Sequence, residues 1–373
     1  MTVPLDRAGA ILTIDLDAIA ANWRLLSARI GGAPCAAVVK ADAYGLGADK
    51  VASALETAGC RDFFVAHLEE GIALRGTLAD GSRVFVLNGI PRGTESDFVA
   101  AGLIPVVNTL AELSAWRDYA RATQRILPTA LQIDSGMARL GLAPKDVSTI
   151  NAEPSRLEGL SLRLVMSHLA CADDPAHSAN GSQRLQFNRL RAMLPPVPAS
   201  LANSSGIFLG GPFHFDLVRP GAALYGINPK PSHPNPMQRV VHLAARVIQL
   251  REVPSGAGIG YGQAGLANRA SRLATIALGY ADGWPRNAAM KAIFEGSSLP
   301  FLGRVSMDSI ILDITDAPLQ PREGDLVDLI CAEQTLDDVA RAAGTIGYEI
   351  LTRLGSRFHR RYIYRDTEMD QRP

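Results

Sequence analysis

Eight short apolar runs, most of them followed by a helical pattern, fill the first two-thirds of the chain. They lie at residues 35–39, 63–66, 84–87, 104–107, 129–133, 162–166, 200–202 and 215–218. The runs show little polar–apolar alternation, as expected of strands covered on both faces. The stretches between them, notably 50–58, 68–75, 95–101, 109–121 and 183–193, read as helices, and Thr109 is placed to cap one of them. Eight short strands separated mostly by helices point to an α/β chain whose N-terminal part is a parallel (β/α)₈ barrel. An open doubly wound sheet fits the same alternation and stays open as an alternative.

The texture changes after Tyr225. A proline-rich stretch at 230–236 reads as a linker. Beyond it, β-like runs at 240–248, 273–278, 309–314 and 325–330 are separated by Gly, Pro and Asp, and only 336–343 reads clearly as helix. The expected division is a barrel over 10–230 and a mostly-β domain over 237–373. The strand-like 10–16 either opens the barrel or returns to the β domain.

Composition narrows the function. Lys plus Arg equals Asp plus Glu at 37 each, so a broad basic face for nucleic acid or an anionic membrane is not expected. Cys35, Cys60, Cys171 and Cys331 are too far apart in sequence for a CxxC or zinc-knuckle pattern, and no metal is expected. Neither a secretory signal nor a run of about 20 apolar residues is visible. A cytoplasmic location with reduced thiols is the expectation.

Several residues stand where barrel enzymes do their chemistry. Lys40 ends the first run, in Val38-Val39-Lys40-Ala41-Asp42-Ala43-Tyr44-Gly45-Leu46-Gly47. A lysine at the C-terminal end of a barrel strand loses solvation, which lowers its pKa and suits it to Schiff-base chemistry or proton transfer; a strand-end lysine also often just reaches water. Asn203-Ser204-Ser205-Gly206 and Arg219-Pro220-Gly221-Ala222 follow the last two runs, where barrel enzymes often hold a phosphate. Gly347-Tyr348 is a third such stretch, read as a strand end. His168 follows the sixth run, Arg139 lies in a turn-rich loop after the fifth, and Tyr261 is flanked by glycines. Each alone has an ordinary structural explanation.

Together these residues resemble the alanine racemases, fold-type III enzymes that use pyridoxal 5′-phosphate (PLP). The resemblance runs from about residue 12 to 362. It is carried by the Lys40 decapeptide and by Arg219-Pro220-Gly221 through Leu224-Tyr225-Gly226. Gly279-Tyr280-Ala281-Asp282-Gly283-Trp284-Pro285-Arg286 and Gly303-Arg304-Val305-Ser306-Met307-Asp308 add to it. The resemblance implies that Lys40 holds PLP covalently. It assigns the phosphate to Tyr44, Ser204, Tyr348 and the backbone of Gly221 and Ala222, with Asn203 beside them. Arg219 would meet the pyridine nitrogen, with His168 against the ring in the same network. Tyr261 of a partner subunit would be the second catalytic base. Arg139 and the Met307 backbone would receive the substrate carboxylate, and Tyr280 would gate the entrance.

The implied function is interconversion of L- and D-alanine by two bases in a homodimer with shared active sites, supplying D-alanine for peptidoglycan. A racemase of wider range, such as one acting on serine, shares the same motifs. A PLP-binding barrel protein without strong catalysis would lack the second domain. Two departures from the family pattern stand out. Gln132-Ile133-Asp134 replaces Lys-x-Asp before the loop arginine, so no carbamylated lysine can form there, and Gly347 replaces the Asn before Tyr348.

Overall fold

The first strand of the chain, β1 (Ala10–Asp15), lies outside the barrel that follows it. The next seven form one parallel sheet in chain order: β2 (Ala37–Val38), β3 (Asp62–Val65), β4 (Arg83–Val86), β5 (Ile104–Val107), β6 (Leu127–Gln132), β7 (Leu160–Met166) and β8 (Ala199–Ser200). Residues 216–220 close the ring. On one side Asp216 N–H donates to Ala199 O at 3.0 Å and Arg219 N–H to Ala202 O at 2.9 Å. On the other, Ala36 N–H donates to Val218 O and Val38 N–H to Pro220 O, both at 2.9 Å. The fold is therefore the barrel and not the open sheet. Among the described residues the eighth position makes a single bridge, Cys35 with Val218. Phe215 is in the left-handed region at φ 53° and Pro220 has no N–H, so no regular ladder can extend there.

This computed structural model describes residues 3–286 and 290–364. The barrel strands are apolar on both faces because helices cover them outside and side chains fill them inside. Phe63 and Phe64 are fully buried, and Phe64 stacks on Phe85 with ring centroids 4.6 Å apart. Thr109 Oγ1 accepts Glu112 N–H at 3.2 Å and caps the helix Leu110–Thr123. That helix buries Trp116, whose indole N–H donates to Thr129 Oγ1 on β6 at 3.0 Å. Truncating such an anchor to Ala costs about 3–5 kcal/mol.

The second unit is built on β9 (Val241–Val253), a long strand that pairs antiparallel with β1, with Leu326–Ile330 and with Ser271–Ile276. β1 pairs in parallel with His359–Ile363 on its other edge, so the start of the chain belongs to the β unit. By contacts, residues 225–227 also group with the β unit, and 228–237 with the barrel unit. One expectation is corrected here. Tyr348 is not at a strand end but in the first turn of a helix, Gly347–Arg353. That helix buries Ile350 and Leu351 and is braced by a Glu349–Arg353 ion pair at 2.8 Å, one turn apart.

Candidate active site

Lys40 stands at the C-terminal mouth of the barrel, immediately after the fully apolar Val38 and Val39. The four residues that follow it, Ala41 to Tyr44, all have left-handed backbone, with φ from 52° to 58°. Each such L-residue costs about 1–2 kcal/mol, so the turn must be held from outside. Glu70 supplies one hold, accepting Ala41 N–H at 2.8 Å. Asp42 supplies another, accepting Ala48 N–H at 2.7 Å and so tying the turn to the helix Ala48–Thr57. Lys40 is half-buried. Desolvation first, and the Arg139 charge second, hold its amine below the usual lysine pKa, while Glu70 works in the opposite direction.

Arg219 is only 3% exposed. It donates from Nη2 to Ser167 O at 2.6 Å and from Nη1 to Ser200 Oγ, and its guanidinium lies 5.9 Å from the Phe64 ring centroid. Ser200 gives its one proton to Leu217 O at 2.5 Å, so towards Arg219 it is purely an acceptor. No carboxylate pairs with Arg219 among the described residues. Burial draws its pKa down to about 9, which leaves it charged at neutral pH. His168 lies beside Asn203, whose Nδ2 is 3.4 Å from its Nε2. Desolvation, followed by the charges of Arg219, Arg139 and Lys40, pushes His168 down to about 3. It is a neutral imidazole throughout the working range.

The two small-residue stretches after β8 and residues 216–220 meet. Ser204 Oγ accepts Gly221 N–H at 3.0 Å and Ala223 N–H at 3.2 Å. A Cβ at Gly221 would strike the Tyr44 hydroxyl, so glycine is required for the approach of Tyr44. Gly221 N–H is thus already engaged, while the buried Ala222 N–H has no acceptor among the described residues. An orphaned buried N–H, a serine hydroxyl with its proton free to donate, and a tyrosine hydroxyl make a cradle that fits a phosphate.

Arg139 is exposed and makes no ion pair among the described residues. Asp134 is not its partner: Asp134 Oδ1 accepts the N–H groups of Gly136, Met137 and Ala138 at 2.8, 2.9 and 3.2 Å. Gln132 is buried at the end of β6.

The other expected residues lie in the β unit. Tyr261 heads a short turn and is 67% exposed. Tyr280 and Met307 are brought together by backbone bonds, Tyr280 N–H to Ser306 O and Ala281 N–H to Met307 O, both at 3.0 Å. Met307 N–H has no acceptor among the described residues. Tyr348 is half-exposed on its helix.

Comparison with known proteins gives the family. The model of the alanine racemase N-terminal domain matches residues 14–229, and that of the C-terminal domain matches 240–362. The chain belongs to the alanine racemase family. A catabolic alanine racemase of Mesorhizobium japonicum is 60% identical over 357 residues, covering 95% of this chain and 94% of the relative. One from Agrobacterium fabrum, also named catabolic, is 48% identical over 359 residues, covering 95% and 92%. The alanine racemase of Bartonella henselae, solved with covalently bound pyridoxal phosphate, has a TM-score of 0.92 at 44% identity, covering 95% of this chain and all of that one.

Alanine racemases are isomerases, and the barrel unit of this one has residues that suit a phosphorylated aldehyde: an amine of lowered pKa, a phosphate cradle and a buried arginine. Glu70, Ser167 and Ser200 were not singled out in the sequence. Glu70 had one legible signal, its place three residues after His67, where a capping-box acid stands. The two serines had none, because their partner Arg219 is 52 and 19 residues away.

Proposed function

We propose that the enzyme interconverts L- and D-alanine with PLP held by Lys40, using Lys40 and a partner subunit's second base on opposite faces of the substrate. When bound, PLP delocalises the charge left on the α-carbon after its proton is removed. The residues do the rest. The Lys40 amine, with its pKa lowered by burial and Arg139, accepts or returns the α-proton on one side. Tyr261 serves on the other, and its exposure in the single chain suits a residue that completes a neighbour's site.

Arg219, still charged at neutral pH, would donate to the pyridine nitrogen and keep it unprotonated. Arg219 thereby favours return of the proton to the substrate carbon over transamination. His168, neutral and beside Asn203, would lie against the ring without adding charge. Ser204, Tyr44 and the Ala222 N–H, which has no acceptor among the described residues, would take the phosphate, with Gly221 admitting Tyr44. Arg139 receives the substrate carboxylate, together with the Met307 N–H of a partner subunit. Tyr280 narrows the entrance and excludes long side chains.

One observation carries this reading: a half-buried lysine of lowered pKa on a strained turn, electrostatically coupled to Arg139 and His168. The physiological role favoured by the relatives' names is catabolic use of alanine rather than peptidoglycan supply. The test of the shared site is complementation. Lys40→Ala and Tyr261→Phe, each inactive alone, are co-expressed. Mixed dimers then contain one intact site and should recover activity. Heterodimers that form and remain inactive would overturn the shared-site assignment.

A further inference from the structure

Two motifs noted in the sequence, at 279–286 and 303–308, each carry an aspartate that the function above does not use: Asp282 and Asp308. One arginine holds both. Arg357 donates from Nε to Asp282 Oδ1 at 2.6 Å and from Nη2 to Asp282 Oδ2 at 2.9 Å, and its Nη1 reaches Asp308 Oδ1 at 2.8 Å. Asp282 is buried, while Asp308 and Arg357 face solvent.

The geometry of the two turns follows from this. Asp282 Oδ2 also accepts Gly279 N–H at 2.9 Å, which closes the turn Tyr280–Asp282. A Cβ at Gly279 would fall on the Met307 carbonyl, and one at Gly283 on the Arg353 carbonyl, so the turn is packed between two other segments. Gly355 N–H donates to Asp282 O at 3.1 Å. The Tyr280 turn, the Met307 turn and the segment leading to Arg357 thus form one block. Among the described residues, only Arg357 bonds a side chain of both turns. An exposed ion pair adds about 0–1 kcal/mol to stability, so the Asp308 arm has little value as a fold clamp. Its effect is on where the Met307 turn stands relative to Tyr280.

We propose that Arg357 is a positioning residue for substrate selection: by bridging Asp282 and Asp308 it fixes the spacing between the Tyr280 phenol and the Met307 N–H. This rests on the reading that Tyr280 limits substrate size and Met307 N–H receives the carboxylate. With the bridge intact, the block defines the room left beside a bound carboxylate, and a methyl side chain fits it better than a hydroxymethyl. With the bridge cut, the Met307 turn keeps its backbone bonds to the Tyr280 turn but loses the side-chain brace, so the Met307 N–H is held less firmly relative to the Tyr280 phenol. Carboxylate binding then weakens and size discrimination relaxes, while Lys40, in the other unit, is untouched.

The experiment uses the full-length holoenzyme. Arg357→Gln should raise the alanine KM several-fold with a much smaller change in kcat, and should lower the ratio of kcat/KM for alanine over serine. Arg357→Lys, which keeps the charge but not the fork, should recover part of both effects. Asp308→Ala cuts only the exposed arm and should shift both in the same direction if Arg357→Gln does not fold. The visible absorbance of the bound cofactor should be unchanged in each. An unchanged KM and ratio would overturn the proposal. So would a loss in which kcat and cofactor absorbance fall together, since that marks a merely structural role. Tyr280→Ala is measured alongside. If it shifts the ratio and Arg357→Gln does not, the inference fails and the reading of Tyr280 stands; if neither shifts it, both fail.

Discussion

Glu70 Oε1 accepts the N–H of Ala41 at 2.8 Å, while its Oε2 accepts those of Ala66 and His67 at 2.7 and 3.2 Å. One carboxylate therefore ties the mouth of β2 to the mouth of β3. It holds the first residue of the left-handed turn and keeps a negative charge near Lys40. Glu70→Gln would set an amide NH₂ against an N–H where an oxygen now stands, and would remove the charge that favours the protonated amine. Lys40 should then lose its proton at lower pH. The acid limb of the kcat/KM profile should move down, and the cofactor should leave faster on dialysis. Glu69→Gln, an exposed neighbour with the same charge change, is the control. Matching profiles for the two variants would remove Glu70 from the Lys40 environment.

Lys40→Ala should abolish racemisation and the visible absorbance that borohydride removes. The nearest other lysine in sequence, Lys50, lies on the helix Ala48–Thr57 and pairs with Asp49 at 3.6 Å. Mass spectrometry after borohydride treatment should find the cofactor on Lys40 in the parent and on no residue in the variant. Labelling that persists in Lys40→Ala would refute the assignment.

His168 gives a pH signature with a definite sign. Its folded pKa is pushed down to about 3, against about 6.5 when unfolded. Between those values the unfolded chain binds a proton that the folded chain refuses. This contribution to stability is therefore complete above about 6.5 and is lost as pH falls towards 3. His168→Asn lacks it. Between neutral pH and about pH 5 the Tm of the parent should fall more than that of the variant; parallel falls would mean that His168 carries no such linkage.

What the sequence showed, and what it hid, follows from the range of the interactions. The barrel was legible because strands covered on both faces are apolar throughout, as at Phe63-Phe64-Val65. Lys40 was legible because it interrupts such a run at its end. The left-handed turn after it was not. Ala-Asp-Ala-Tyr has no local reason to take positive φ, and one residue that holds the turn, Glu70, is 29 positions away. Arg357 was hidden for the same reason, its two partners lying 75 and 49 residues earlier. Tyr348 was misplaced because Gly347 was read as a turn, whereas Ile350 and Leu351 bury a helical face and draw the segment into a helix.

Gln132 makes the last prediction. In the family pattern a lysine seven positions before the loop arginine reacts with carbon dioxide, and the resulting carbamate orients that arginine. An amide cannot react in this way, so Gln132 offers Arg139 at most a neutral oxygen. Neutral acceptors are about half as strong as charged ones. Asp134 does not make up the difference, since three N–H groups of its own loop engage its Oδ1. Arg139 has no ion pair among the described residues and is exposed. Its charge is therefore open to a small anion from solution. Activity should be insensitive to bicarbonate and should fall when chloride is exchanged for a large anion at constant ionic strength, with the alanine KM rising more than kcat falls. Gln132→Lys should make activity respond to bicarbonate. Stimulation of the parent by bicarbonate, together with indifference to chloride, would sink this account of Gln132.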